Sequence, residues 1–252
     1  MNPDEYVRMH DMEDHYWWFV GRRTLAIGLL RAYLEHFPLP GDASPKPVVL
    51  DLGCGTGVIS KDMGSWARVI GLDMSAVALK FCKGRGLSNL VQADGIAMPI
   101  AGSSVTALVG LDIFEHIGND RAAFREAYRV LKPGGLLVMS VPAFRWLWGP
   151  HDIALMHHRR YTRGEVGTRL SEAGFEVVKL SYSVFLLFPI VAVIRFFEKR
   201  RRGEPKASLA PLPPAINGAL KGIQAFEASL IHRGNLPWGS SVIAVARKPV
   251  AS

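Results

Sequence analysis

Three groups of residues in this chain have the types and spacing that chemistry needs. The first is V-V-L-D-L-G-C-G-T-G at 48–57, an apolar run rich in β-branched residues that breaks at Gly53, Gly55 and Gly57. Glycine lets the backbone turn sharply and lets a ligand approach without meeting a Cβ. The run reads as a buried parallel strand and residues 58–64 as the start of a helix. Strand, glycine turn and helix N-terminus together make a nucleotide-binding crevice. Asp73 ends the next apolar run, 16 positions beyond Gly57. An acidic residue at the end of the second strand can accept hydrogen bonds from both ribose hydroxyls. It can equally cap the helix that follows at 75–84. The second group is D-I-F-E-H-I at 112–117. His116 there titrates near neutral pH and can take a proton from a hydroxyl nucleophile, or it can hold the next loop by hydrogen bonding. The third is P-A-F-R-W-L-W-G-P-H-D-I-A-L-M-H-H-R-R-Y-T at 142–162. His151, Asp152, His157, His158, Arg159, Arg160 and Tyr161 are concentrated in it. They suit an acceptor site, with aromatics for a flat or apolar body and arginine for a carboxylate or phosphate. A solvated arginine-rich loop is the plainer reading. No cysteine joins the histidines, and their spacing fits no standard zinc pattern.

The elements that must position these groups follow from hydrophobic periodicity. Strands are predicted at 48–52, 68–72, 89–93, 105–111, 136–141, 175–183 and 241–247. Helices are predicted at 58–64, 75–84, 120–131 and 163–173, and Lys132-Pro133-Gly134-Gly135 stops the third of these. Residues 11–37 read as one amphipathic N-terminal helix, with a proline-rich linker at 38–47. The fold class is α/β. Residues 1–46 form an N-terminal helical lid and linker, 47–183 the core, 184–240 an inserted segment and 241–252 the last strand and tail. The insertion opens on 15 uncharged residues, 180–194, short of the ~20 a spanning helix needs. The basic run Lys199, Arg200, Arg201 and Arg202, with Lys206, follows. A short apolar segment beside a basic run suits a helix lying in a membrane interface. Residues 205–214 read as a proline-rich link and 215–231 as a second amphipathic helix.

The chain has 252 residues, 49% hydrophobic and 21% charged, which suits one α/β domain with extra elements and a full core. Its net charge of +8 suits anionic partners, whether acidic lipid or nucleic acid. Cys54 and Cys82 make neither a disulfide framework nor a metal pair. The start, M-N-P-D-E-Y, has no basic region followed by an apolar core, so a cytoplasmic location is the expectation.

The order of these motifs resembles class I S-adenosylmethionine-dependent methyltransferases, in particular the type 11 and ubiquinone-biosynthesis O-methyltransferase groups. Asp51 with G-x-G-x-G resembles their first motif. Q-A-D-G-I-A-M-P at 92–99 looks like their adenine segment, L-D-I-F-E-H at 111–116 resembles their L-E-H, and R-V-L-K-P-G-G at 129–135 is very characteristic of them. The resemblance is good over 47–141 and weaker to residue 183. It implies a Rossmann-like seven-stranded sheet, mostly parallel, with an antiparallel last strand and a helical insertion between strands six and seven. It implies S-adenosyl-L-methionine as cofactor, held by Asp51, Gly53, Gly55, Gly57, Asp73, Met74, Asp94, Gly95 and Leu111. An N-terminal aromatic cluster followed by arginine is similar to the ubiquinone-biosynthesis enzymes and carries a cofactor contact over to Arg23. In some quinol O-methyltransferases the L-E-H segment holds a divalent ion, which would fall here to Asp112, Glu115 and His116, with Asp where Glu is usual.

The expected function is O-methylation of a hydrophobic or membrane-associated small molecule, such as a prenylated phenol or quinol or a lipid-linked acceptor. The enzyme would be peripheral on the inner face of the membrane, with His116 as base. A nucleic-acid methyltransferase is the alternative that charge suggests. The chain has no N-P-P-Y-type motif after the fourth strand and no Pro-Cys nucleophile to support it. The third reading is a non-catalytic S-adenosylmethionine-binding protein at the membrane.

Overall fold

The computed structural model describes residues 3–39, 45–198 and 211–250. Seven strands form one sheet: β1 (Val48–Leu52), β2 (Arg68–Asp73), β3 (Leu90–Gln92), β4 (Val105–Leu111), β5 (Leu131–Pro142), β6 (Glu176–Ser183) and β7 (Ser241–Arg247). Their spatial order is β3-β2-β1-β4-β5-β7-β6. Every pairing is parallel except those of β7, which lies antiparallel between β5 and β6. This is the architecture that the resemblance implies, with its antiparallel last strand.

Nine α-helices accompany the sheet among the described residues: α1 (Pro3–Glu13), α2 (Trp17–His36), α3 (Val58–Met63), α4 (Ala76–Gly84), α5 (Asp120–Val130), α6 (Pro150–Ala154), α7 (Arg163–Glu172), α8 (Phe188–Glu198) and α9 (Pro214–Arg233). Both faces of the sheet are covered, which is why its strands read as continuous apolar runs. Leu50, Leu108 and Leu137 point to one face with Phe124 and Ala127 of α5 and Val166 and Leu170 of α7. Their chain neighbours Val49, Ala107, Val109, Leu136 and Val138 point to the other, with Leu25 and Leu29 of α2, Ile59 and Met63 of α3 and Ile231 of α9. β5 starts five residues earlier than predicted. Leu131 pairs with Val105, and the register then shifts before Leu136 meets Ala107, so the glycine turn lies inside the strand as an irregularity.

The predicted single helix over 11–37 is two helices, α1 and α2, with a break at Asp14–Tyr16. Backbone groups freed at the break find partners from far away in sequence. Asn217 of α9 donates to the His15 carbonyl at 2.9 Å and accepts from the Trp17 N–H at 2.9 Å. The Arg23 guanidinium donates to the Glu13 carbonyl. Such capping replaces the intrahelical bonds that a helix end forfeits.

The apolar insertion is also divided. Residues 180–183 belong to β6, Val184 has a φ of 60°, and α8 begins only at Phe188. The buried Glu227 carboxylate of α9 accepts the Val184 and Leu186 N–H groups across this corner, the latter at 3.0 Å. α9 lies close along α2: a Cβ on Gly21 would come within 2.8 Å of Gln224. It is therefore part of the packed fold. Lys199, Arg200, Arg201, Arg202 and Lys206, half of the 38–47 linker and most of the 205–214 link lie outside the described residues.

Asn217→Ala is expected to cost about 1 kcal/mol, the usual net worth of a hydrogen bond such as the half-buried one from the Trp17 N–H. A fall in the urea midpoint at unchanged slope measures it. A change within about 0.5 kcal/mol, the range of ordinary surface substitutions, would contradict this account of the break.

Candidate active site

The C-terminal ends of β1, β2 and β4 form a crevice, where ligands bind in open α/β sheets. The turn after β1 carries three left-handed glycines, Gly53, Gly55 and Gly57, with φ values of 69°, 55° and 89°. Gly53 N–H and Cys54 N–H both donate to the Leu72 carbonyl of β2, at 2.8 and 3.1 Å. A Cβ on Gly53 would fall 2.6 Å from the Ile113 side chain, and one on Gly55 would fall 2.8 Å from Met9 Cε. The turn is thus a cradle that a side chain would fill, and α1 lies directly over it.

Acidic side chains hold the cradle in shape. Asp73 accepts the Gly55 N–H at 3.0 Å and the Ser75 N–H at 2.8 Å. Burial raises its carboxyl pKa, and the Ser75 and Gly55 N–H groups oppose the rise. Asp51 sits behind the turn, fully buried, and accepts the Ser60 hydroxyl at 2.6 Å. Its contact is with α3. Glu13 at the end of α1 reaches down to the Thr56 hydroxyl and to Arg85, whose guanidinium donates at 2.7 Å. Met74 is exposed on the rim. Asp94 is exposed and accepts the Ile96 N–H at 3.1 Å, while Gly95 packs against Ile117 and Leu52. Leu111 is buried at the end of β4.

Arg23 does not reach the crevice. Its guanidinium holds the α1 carbonyl and pairs with Asp62 of α3 at 2.8 Å. Its neighbour Arg22 is the one that turns inward, to an ion pair with Asp112. Asp112 also accepts the Ser140 hydroxyl at 2.8 Å and has a φ of 53°. Burial alone would raise its carboxyl pKa, and the Arg22 guanidinium with the Ser140 hydroxyl brings it below the ordinary range.

Beyond Asp112 the chain forms a short 3-10 helix, Phe114–His116, that meets the segment after β5. Glu115 is fully buried and neither carboxylate oxygen accepts a hydrogen bond from another residue. Burial, with Asp112 nearby, pushes its carboxyl well above the usual range. The His116 ring lies 4.6 Å from that of His157, edge to face. Burial and then His157 push the His116 imidazole down to about 3. It is therefore neutral at physiological pH and a weak proton acceptor, which is poor tuning for a general base. His157 Nδ1 lies 2.9 Å from Asp152 and its Nε2 lies 4.0 Å from Glu115. His151 stands alongside, its ring 6.3 Å from that of His157 and its imidazole pushed down to about 3 by burial and by Arg195 of α8.

The rest of the predicted acceptor loop is turned to internal partners. Arg160 is buried and forks onto both Asp152 oxygens at 2.8 and 3.0 Å, with a third bond to the Ala143 carbonyl. Tyr161 is buried and donates to Asp120 at 3.0 Å. Arg159 pairs with the other Asp120 oxygen at 3.0 Å. These three side chains fasten the loop to the core rather than line an open acceptor pocket. The His158 side chain is exposed, and the His158 backbone N–H donates to the Glu115 carbonyl at 2.8 Å.

Comparison with known proteins places this geometry. Residues 50–139 match the family described as a methyltransferase domain. A Mycolicibacterium smegmatis protein named "Probable S-adenosylmethionine-dependent methyltransferase" is 32% identical over 134 residues, 51% of this chain and 52% of that one. The ubiquinone biosynthesis O-methyltransferase of Xanthomonas oryzae is 32% identical over 99 residues, 36% of this chain and 41% of that one. Residues 50–139 carry a methyltransferase domain. The matched region spans about half or less of these relatives' own length. A chain in the complex between the Haloferax volcanii Trm112 methyltransferase activator and a methyltransferase superposes with a TM-score of 0.61, covering 99% of this chain and 96% of that one. At 17% identity that likeness is one of fold.

At this sheet edge the glycine turn, the acid at the end of β2 and the Ile113 side chain lie together. Sequence reasoning missed Glu13 and Arg85, which bond each other across 72 positions and leave no local signal. It also missed Asp152 as the partner that orients His157.

Burial pushes the Asp51 carboxyl up to about 7, against roughly 4 in an unfolded chain. A carboxyl raised by folding favours the folded state below its unfolded pKa. That stability is lost as pH rises toward the folded value. Asn at this position keeps an acceptor for Ser60 without the charge. Asp51→Asn is therefore expected to gain stability relative to wild type between about pH 4 and about pH 7. Urea midpoints at about pH 5 and about pH 8 measure this. A difference between the two proteins that does not vary with pH would contradict it.

Proposed function

We propose that this protein transfers a methyl group from S-adenosylmethionine to an oxygen of an apolar acceptor presented at a membrane surface. The observation that carries the reading is the meeting, at one sheet edge, of the glycine cradle with Asp73 and the Glu115–His116–His157 cluster, beside an apolar rim. When bound, S-adenosylmethionine supplies an electrophilic methyl group. Asp73 hydrogen-bonds the ribose, Gly53, Gly55 and Gly57 bring backbone against the ligand, and Asp94 takes the adenine amine. Met74, Gly95 and Leu111 pack around it, and Asp51 supports the turn from behind. Arg22 rather than Arg23 faces the crevice from α2. Residues 1–46 act as the lid, with Met9 over Gly55. Most of the rate comes from holding the acceptor oxygen in line with the methyl group. The histidine cluster, with His151 and His158 beside it, positions that oxygen; low basicity makes His116 a hydrogen-bonding group, and His157, oriented by Asp152, receives the proton that the acceptor hydroxyl loses as its oxygen takes the methyl group.

The rim supports an apolar acceptor. Trp146, Ile153 and Met156 are each at least 54% exposed just outside the cluster. α8 exposes Ile190, Val193, Ile194, Phe196 and Phe197, and its first ring, Phe188, packs on Phe144 and Trp146. In the sequence the run Lys199-Arg200-Arg201-Arg202 follows α8 directly, matching an anionic surface. No helix among the described residues is long and apolar enough to cross a membrane, so the contact is interfacial, with α8 as the docking element of the 184–240 insertion. The Xanthomonas relative's name points to a quinone-pathway acceptor, and a prenylated phenol or quinol fits both rim and cluster.

The test is transfer of labelled methyl from S-adenosylmethionine into a whole-cell extract of the host, partitioned into organic, aqueous, protein and nucleic-acid fractions. Label in the organic fraction is expected. Asp73→Ala is expected to weaken cofactor binding about 10- to 100-fold, the equivalent of 1.5–3 kcal/mol for hydrogen bonds to a charged group. Label confined to the nucleic-acid or aqueous fraction would overturn the acceptor assignment. Unchanged affinity in Asp73→Ala would overturn the cofactor assignment.

A further inference from the structure

We propose that a narrow recess between α2 and α9 holds a carbonyl oxygen of the methyl acceptor, with Gln224 and Arg22 as its hydrogen-bond donors. The recess lies at the sheet edge where β6 ends in Ser183 and β7 begins at Ser241, and both serines line it. Trp18 and Val184 supply apolar wall. None of the residues that line it lies within 50–139, the stretch that matches the methyltransferase family. Arg22 and Ser140, two of the lining residues, both bond Asp112, Ser140 at 2.8 Å. The recess therefore adjoins the segment that carries Glu115 and His116. The inference rests on the acceptor reading above and gives that acceptor a second polar group, apart from the hydroxyl that is methylated.

Two of the polar groups in the lining point to a ligand because they are without partners. Gln224 is 7% exposed, and its Nε2 donates to no other residue. Arg22 Nε is buried and likewise unpartnered, although the same guanidinium pairs with Asp112. A buried N–H without an acceptor is costly, and native folds leave few of them. Both groups are donors, so their complement is an oxygen that accepts. The cavity measures about 20 Å³, which admits one oxygen-sized group and not a phosphate. Asp112 already balances the Arg22 charge. A neutral carbonyl therefore suits the recess better than a carboxylate, which would enter it without a counter-charge. Strain marks the same place. Val184 has a φ of 60°, a conformation that a β-branched residue adopts only under constraint. The Glu227 carboxylate supplies the constraint by accepting the Val184 and Leu186 N–H groups. Strained residues held in this way cluster at ligand sites.

The probes are 4-hydroxyacetophenone and 4-ethylphenol, phenols of like shape of which only the first has a carbonyl. Binding of each to the full-length protein saturated with S-adenosylhomocysteine is read by ligand-observed NMR titration. Wild type is expected to bind the ketone at least about tenfold more tightly, the worth of one or two hydrogen bonds. Gln224→Met, which keeps an unbranched side chain against Gly21, is expected to lose that preference. Its urea midpoint is expected at or above that of wild type, because the change removes a buried amide group that has no partner within the fold. Its affinity for S-adenosylhomocysteine is expected to match that of wild type. A wild type without preference for the ketone would overturn the proposal, as would a preference that survives in Gln224→Met. A clearly lowered urea midpoint would make the amide a structural group and overturn it as well. So would a large loss of S-adenosylhomocysteine affinity in Gln224→Met, which would make the cofactor's own carboxylate the occupant. Failure of methyl transfer into the organic fraction with the ketone preference intact would instead count against the functional reading above.

Discussion

The glycine turn after β1 keeps its shape because one carboxylate, that of Asp73, holds the Gly55 and Ser75 N–H groups at 3.0 and 2.8 Å at once. Those two bonds join the β1 turn to the start of α4 across the crevice. The Leu72 carbonyl, one residue earlier, takes the Gly53 and Cys54 N–H groups, so the turn is fastened to β2 along its length. α1 then settles on it through Met9 and through Glu13, Thr56 and Arg85. The crevice, its lid and the helix that frames it share this single constraint. Its electrostatic consequence is a set of acids, Asp51, Asp73 and Glu13, all raised by burial within one small region. Functional sites commonly concentrate perturbed groups in this way.

Most of the sheet was legible because its strands are buried on both faces and bounded by glycine, proline and charge. Val105–Leu111 is buried at every residue, so no alternation was available to confuse its limits. The cofactor crevice was legible because its requirement is for backbone: three glycines and one acid suffice to write it. The break between α1 and α2 was not legible, since Asn217 supplies its partners from 200 positions away. The same holds for the corner at Val184, where Glu227 captures the backbone. Periodicity reports which face is apolar and is silent on which side chain from elsewhere will cap a free carbonyl.

The loop after β5 shows the limit of reading chemistry from residue type. Arg159, Arg160 and Tyr161 look like recognition groups, yet each is committed to a buried or half-buried acid of the same chain. Their role is rigidity. They fix Asp120 and Asp152, and Asp152 fixes His157, so a loop of irregular backbone presents one imidazole at a defined angle to Glu115. A site carried on a loop becomes as firm as one on a strand when its supports are satisfied inside the core. Outside this fastened region the same segment changes character, exposing Trp146, Ile153 and Met156. One stretch of chain thus joins a polar, ordered interior to an apolar surface.

The account depends on the glycine turn, Asp73 and α1 acting together as the cofactor site. Amide hydrogen exchange with and without saturating S-adenosylmethionine tests this most directly. It reports on backbone groups that the account places against the ligand and needs no knowledge of the acceptor. Slowed exchange is predicted at residues 53–57, at 73–75 and along α1, with β6 and β7 unchanged. Slowed exchange elsewhere with none at 53–57, or no change anywhere at saturation, would contradict the account.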